Sequence, residues 1–170
     1  MKYLITTIAA LVLVGCGQSV DIHDAATWGD VKAVKEYLEA GGDVNAKQGD
    51  SVSGLSGFGW TPLHIVAQVD TFDDNISERF LDGRNILELL IANDADVNAK
   101  DNDGLTPLHH ASHKQIFELL IAAGADVNAK KPNGKTALDD ALSEIGEREI
   151  ADLLRKHGGK TGEELKAAGN

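Results

Sequence analysis

Three histidines stand close together in this chain, His109, His110 and His113. On one helix the pairs His109/His113 and His110/His113 share a face, and imidazoles so placed could ligate zinc or copper. No third or fourth ligand has a fixed place beside them. His109 also closes a Thr-Pro-Leu-His run, Thr106–His109, that recurs at Thr61–His64, so its competing role is to hold a helix start. Asp94-Ala-Asp96-Val-Asn98 alternates oxygen donors in the manner of a calcium loop, but Ala99 stands where the loop needs glycine and Leu105 where it needs glutamate. Gly159-Lys160-Thr161 echoes a phosphate-binding loop, yet Leu154 occupies the place of the upstream glycine and no strand precedes it. No serine sits in a G-x-S-x-G setting, and Cys16 is the only cysteine. The expectation is therefore no catalytic residue, no cofactor, no metal site and no small-molecule substrate: not an enzyme.

The elements that would carry these side chains repeat along the chain. Thr106 is suited to N-cap a helix, Pro107 to its first position, and His109 falls at N3, able to bond back. Ile116, Phe117, Leu119, Leu120 and Ile121 then form an apolar stripe at helical spacing, which Gly124 ends as a left-handed C-cap. An extended Ala-Asp-Val-Asn-Ala run follows, closed by the turn residues Pro132-Asn133-Gly134. Thr-Pro-Leu-His stands at Thr61–His64 and Thr106–His109, with Thr-Ala-Leu-Asp at Thr136–Asp139. Asp-Val-Asn-Ala-Lys stands at Asp43–Lys47, Asp96–Lys100 and Asp126–Lys130. Two antiparallel helices and a hairpin-like finger make one unit. This pattern resembles the ankyrin repeat, with its period of about 33 residues and its T-P-L-H-x-A helix start, over roughly residues 21–166. The fold class it implies is all-α, an ankyrin-repeat solenoid of about four repeats, near residues 21–53, 59–100, 104–133 and 134–165, with residues 167–170 as a frayed C-terminus.

The repeats are unequal. The first has Val20-Asp21-Ile22-His23 in place of T-P-L-H, a polar departure that suits a terminal cap. Asn45 to Thr61 spans 16 residues where Asn98 to Thr106 spans 8, so the first finger carries an insertion within the Gly- and Ser-rich stretch 48–59. Thr61 to Thr106 is 45 residues, about 12 more than the period, an excess assigned between the two helices at Val69–Arg84, where Ile76, Phe80 and Leu81 could add a short helical turn. Asn93-Asp94 replaces the usual Ala-Gly, and both residue types tolerate the left-handed conformation. Thr106 to Thr136 is only 30 residues, which predicts a tighter inter-helix turn near His113–Gln115.

Ahead of the repeats, Met1-Lys2 is followed by an apolar run, Tyr3–Val14, too short to span a bilayer and readable as a signal peptide over residues 1–15. Leu13-Val14-Gly15-Cys16 is similar to a bacterial lipobox, which implies lipidation of Cys16, membrane attachment through that lipid alone, and, with Gly17 following, the periplasmic face of the outer membrane if the cell has two membranes. The alternative for Cys16 is a free thiol. Residues 16–20 would then be a tether that reaches at most about 14 Å.

Charge narrows the partner. With 27 acidic against 16 basic residues the net charge is −11, which disfavours nucleic acid and anionic lipid surfaces. A protein partner, of basic character, is the expectation. The resemblance implies that it meets the finger tips and the exposed positions of the first helices: Trp28, Phe58, Trp60, Asn102, Asp103, Leu105, His113, Lys114, Asn133 and Lys135. Trp28, Phe58 and Trp60 are three of eight aromatic residues and suit binding anchors, although local packing is their alternative role. The leading reading is a lipid-anchored envelope interaction module, an inhibitor- or immunity-type binder of a periplasmic enzyme or an envelope scaffold. Alternatives are a metal-binding or enzyme-accessory lipoprotein built on His109, His110 and His113, and a purely structural tether.

Overall fold

A computed structural model describes residues 21–49, 58–68, 76–143 and 148–169, with side chains from residue 82 onward in the third stretch. The expected signal peptide, Cys16, most of the finger insertion and residues 69–75 of the second insertion lie outside the described residues. The described elements are all helical: α1 Ile22–Trp28, α2 Val31–Glu39, α3 Pro62–Gln68, α4 Ile76–Ala92, α5 Pro107–His110, α6 Lys114–Ala122, α7 Ala137–Ser143, α8 Arg148–Lys156 and α9 Gly162–Ala167. None of them is long and apolar enough to cross a membrane.

The helices pair within each unit, α1 with α2, α3 with α4, α5 with α6 and α7 with α8. Between units, α1 packs on α3 and α3 on α5, while α2 packs on α4 and α6 on α8, which makes two parallel layers. One continuous core runs between them. Leu63, Leu108 and Leu138, each two residues after the capping threonine, are buried in one layer, and Leu90, Leu120 and Leu154 form the matching row of the other. Each such leucine contributes about 1.5–3 kcal/mol by leaving water. In the first repeat the second row ends on half-buried Tyr37, whose ring lies where a side chain at Gly42 would have to go.

Each second helix closes on a left-handed residue four positions after its core side chain. Gly41, Gly124 and Gly158 take φ of 84°, 94° and 85°. Asp94 holds the same place at φ 63°, the only described non-glycine residue with positive φ, as the tolerance of aspartate for that region allows.

Four expectations change in the structure. The Asp-Val-Asn-Ala run is not extended but a tight turn, with Ala129 N–H donating to the Asp126 carbonyl at 3.1 Å and the Asn128 amide to the Asp126 carboxylate at 2.9 Å. A short aspartate reaching its own turn amide wins over the extended form. The excess of repeat two does not make a separate helical turn between the helices: α4 has 17 residues where α2, α6 and α8 have nine, so Ile76, Phe80 and Leu81 belong to a continuous extension of the second helix. The deletion in repeat three is taken from the first helix, since α5 has four residues where α1, α3 and α7 have seven. Holding α6 in its layer leaves only α5 to give up residues. His109, His110 and His113 therefore do not share a helix: Ala111 is extended at φ −63°, ψ 130°, and His113 is the extended N-cap of α6.

After the fourth helix pair, α9 adds a further turn of helix. Thr161 and Glu164 make a reciprocal capping box, Leu165 is buried, and Arg155 meets Glu164 at 2.7 Å. That bond and the Thr161 amide bring the Glu164 carboxyl down to about 2.

Candidate functional site

The fingers are held by two kinds of ladder, and the histidines belong to the first. The Thr61 amide donates to His64 Nδ1 at 3.1 Å, and the Thr106 amide donates to His109 Nδ1 at 3.1 Å. With Nδ1 accepting, the hydrogen sits on Nε2, which donates to the Leu105 carbonyl from His64 at 3.2 Å and to the Ala129 carbonyl from His109 at 3.1 Å. His23 reaches the Ala46 carbonyl through Nε2 in the same way, at 2.8 Å. Burial holds His64 and His109 below the usual histidine value, against the opposing pull of those carbonyls. In repeat four the polarity reverses. Asp139 accepts from the Thr136 amide at 2.8 Å and from the Gly162 amide at 2.8 Å, so a carboxylate takes an amide where histidine gives to a carbonyl.

The second ladder is made of asparagines. Asn45, Asn98 and Asn128 each accept at 2.8 Å from the next unit, from the amides of Asp96, Asp126 and Lys160. The amide groups of Asn98 and Asn128 also donate at 3.2 Å to the carbonyls of Gly124 and Gly158. All members of both ladders are thus structural, and neither ring nitrogen of His109 remains for a metal. Among the described residues no three His, Cys, Asp or Glu side chains are placed to hold a metal ion.

One polar cluster stands out from the ladders. Asp101 has a fully buried side chain, and its Oδ1 accepts from the amides of Asp103 at 2.9 Å and Leu105 at 2.8 Å. Its Oδ2 faces His110 Nε2 at 2.8 Å. Burial pushes the Asp101 carboxyl up, and the bonds from His110 and the Leu105 amide outweigh it, leaving the group below the ordinary aspartate value. The His110 ring is covered edge-on by Trp60, with centroids 4.9 Å apart, and by His64 at 5.6 Å. Phe58 lies on Trp60 at 5.3 Å, and the Asn102 amide donates to the Phe58 carbonyl at 2.9 Å. The Gln48 amide donates to the Trp60 carbonyl at 2.8 Å, closing the base of the first finger as Asp101 and Leu105 close the second.

The structure thus brings Phe58, Trp60, Asn102, Asp103 and Leu105 together on two adjacent fingers, and it divides the aromatic anchors. Trp28, at the end of α1, is 72% exposed and Phe58 53%, whereas Trp60 is half-buried and packed against the core rather than on the surface. Asn133 and Lys135 are exposed on the third finger. Lys114 stands apart: as first residue of α6 it pairs with Glu149 of α8 at 3.1 Å, in the outer helix layer. His113, the half-buried N-cap of that helix, goes with it. Asp101 is the residue that sequence reasoning missed, whereas His64 holds its helix start as the T-P-L-H position leads one to expect. The available signal was the comparison of equivalent positions, since Asp101 and His110 occupy the places of Lys131 and Asp140 one repeat later.

Stacked helix pairs with projecting turns define a repeat-built helical solenoid. A family model described as Ankyrin repeats (3 copies) matches residues 22–130 and 79–164, and the chain belongs to the ankyrin-repeat family. Such repeats mark a protein–protein interaction module. No curated protein matches the chain.

Proposed function

We propose that this chain is a lipid-anchored module of the bacterial cell envelope that captures a basic protein partner through the surface around its first two fingers. The observation that carries the reading is the exposure of Phe58 on a framed support. Its ring rests on Trp60, Trp60 on His110, and His110 on the buried Asp101 carboxylate. A large apolar side chain held rigidly at the surface loses little entropy on binding and so suits a binding anchor. Asp103, exposed beside it, and the net charge of −11 would steer a basic partner. Anchoring rests on Leu13-Val14-Gly15-Cys16, and the short tether after it would keep the first repeat near the bilayer.

Two measurements test the reading. Detergent-phase partitioning of the wild type and Cys16→Ser addresses the anchor: a processed, water-soluble product from both would overturn it. Pull-down from envelope extracts followed by titration calorimetry addresses the surface. Trp28→Ala and Phe58→Ala are each expected to weaken the partner by about 2 kcal/mol, while Asn102→Ala costs much less. Unchanged affinity in the folded Trp28→Ala/Phe58→Ala variant would move the site elsewhere.

A further inference from the structure

Phe58 and Asp103 hold equivalent places at the tips of the first two fingers, each followed by a glycine and each three residues before a capping threonine. The Asn102 amide donates to the Phe58 carbonyl at 2.9 Å, so the residue next to Asp103 touches the backbone that carries the Phe58 ring. Gly59 permits that approach, since a Cβ there would collide with the Asn102 side chain. The ring leans on Trp60 at 5.3 Å with the planes 35° apart, and 53% of the residue is left in water.

The charge around the ring is negative. From Asp94 to Leu105 the chain holds Asp94, Asp96, Asp101 and Asp103 against Lys100 alone, and the Lys47 ammonium of the first finger is held on the Lys100 carbonyl at 2.8 Å. Asp94 ends α4, Asp96 accepts from the Asn98 amide in its own turn, and Asp101 is engaged by His110 and two amides. Asp103 is exposed, and no described cation lies within ion-pair distance of its carboxylate.

We infer, building on the partner surface proposed above, that the side chain received here is an arginine of the partner, its guanidinium laid on the Phe58 ring and turned toward the Asp103 carboxylate. The face of a phenyl ring carries the negative part of its quadrupole and attracts a cation. A planar guanidinium meets both groups at once, stacking through its face while its N–H edge bonds a carboxylate. Lysine is the poorer occupant, because its compact ammonium is strongly hydrated and has no plane to stack. A wholly apolar side chain would cover the ring and bring nothing to pair with Asp103 as water leaves. Trp60, braced by His110 and through it by Asp101, keeps the ring in place before the partner arrives.

Hexaarginine and hexalysine carry equal charge, so the ratio of their affinities cancels the general attraction of an acidic protein. Fluorescence anisotropy of the two labelled peptides on the full chain in non-ionic detergent, at about 150 mM salt, is expected to show hexaarginine at least about threefold tighter. Phe58→Leu, which keeps an apolar side chain at an exposed place, is expected to lower that ratio to about half or less, and Phe58→Tyr, which keeps an aromatic face, to preserve it. Asp103→Asn is expected to weaken hexaarginine by about threefold, while Glu118→Gln, the same charge change on exposed α6, leaves it within about 1.5-fold. A wild-type ratio near unity, a ratio unchanged in Phe58→Leu, or an equal loss in Glu118→Gln overturns the inference. A captured partner that still depends on Phe58 while the ratio is near unity would remove the arginine and leave the partner surface standing.

Discussion

Asp101 and His110 face each other at 2.8 Å across the base of the second finger, and one repeat later Lys131 and Asp140 face each other at 2.6 Å from the equivalent positions. Both pairs join the residue five before a capping threonine to the residue four after it. The two pairs place their carboxylate in opposite order, so what the fold requires at this place is a carboxylate facing a nitrogen donor, not a particular residue.

Exchange of the pairs should therefore be tolerated better than half an exchange. Lys131→Asp alone sets two carboxylates together, and Asp140→His alone leaves a lysine facing an imidazole. The double variant Lys131→Asp/Asp140→His should recover about 1 kcal/mol over the sum of the single changes, a modest figure because the native pair is partly exposed. Urea unfolding of all four proteins measures the coupling, and strict additivity would show that the pairs are incidental.

The histidine ladder should matter through both of its bonds. His64→Ala removes a completely buried ring, leaves the Thr61 amide without its partner and takes one of two donors from the Leu105 carbonyl, for about 2–3 kcal/mol. His109→Ala, half-buried, should cost about 1–2 kcal/mol. His113→Ala should change little, since no hydrogen bond caps α6 from that side chain. Denaturant midpoints rank the three, and a ranking led by His113 would contradict the ladder.

Acid should loosen the stack in two stages. His64 and His109 lie below their ordinary value in the folded state, so the unfolded chain binds more protons once the pH falls beneath about 6.5. Their contribution is whole above that pH and is lost as the pH drops toward the folded values. Asp101 and Asp139, held below the ordinary aspartate value, add a second loss beneath about pH 4. Urea midpoints between pH 8 and pH 3 would show it, and a midpoint independent of pH from 7 to 5 would refute the first stage.

The three aromatic residues should separate by role. Trp60→Ala should destabilise by about 3 kcal/mol because the ring packs on the core, Phe58 and His110. Trp28→Ala, at 72% exposure, should stay within about 0.5 kcal/mol of wild type. Thermal melts decide this, and a large loss from Trp28→Ala would assign it to packing.

Asp94→Gly should stabilise by about 0.5 kcal/mol, because glycine adopts the positive φ that its three counterparts already use without steric cost. A lower midpoint would mean that the aspartate side chain contributes something glycine cannot.

The repeat architecture was readable because its signals are local. Thr106, Pro107 and His109 start a helix through contacts within one turn, Gly124 ends one by its φ, and the leucine rows follow helical spacing. Three occurrences of Asp-Val-Asn-Ala-Lys mark the repeated unit despite its unequal lengths. Tertiary structure decided how unequal repeats are reconciled. Both layers must stay in register, so the surplus of repeat two went partly into α4 and the deficit of repeat three was taken from α5. That break separated His113 from His109 and His110, which no spacing along a presumed continuous helix could reveal. Only the folded chain, too, sets Asp101 against His110, Trp60 above that pair, and Phe58 on Trp60. Those contacts cross between turns and helices, where side-chain direction depends on how the units stack and not on any period in the sequence.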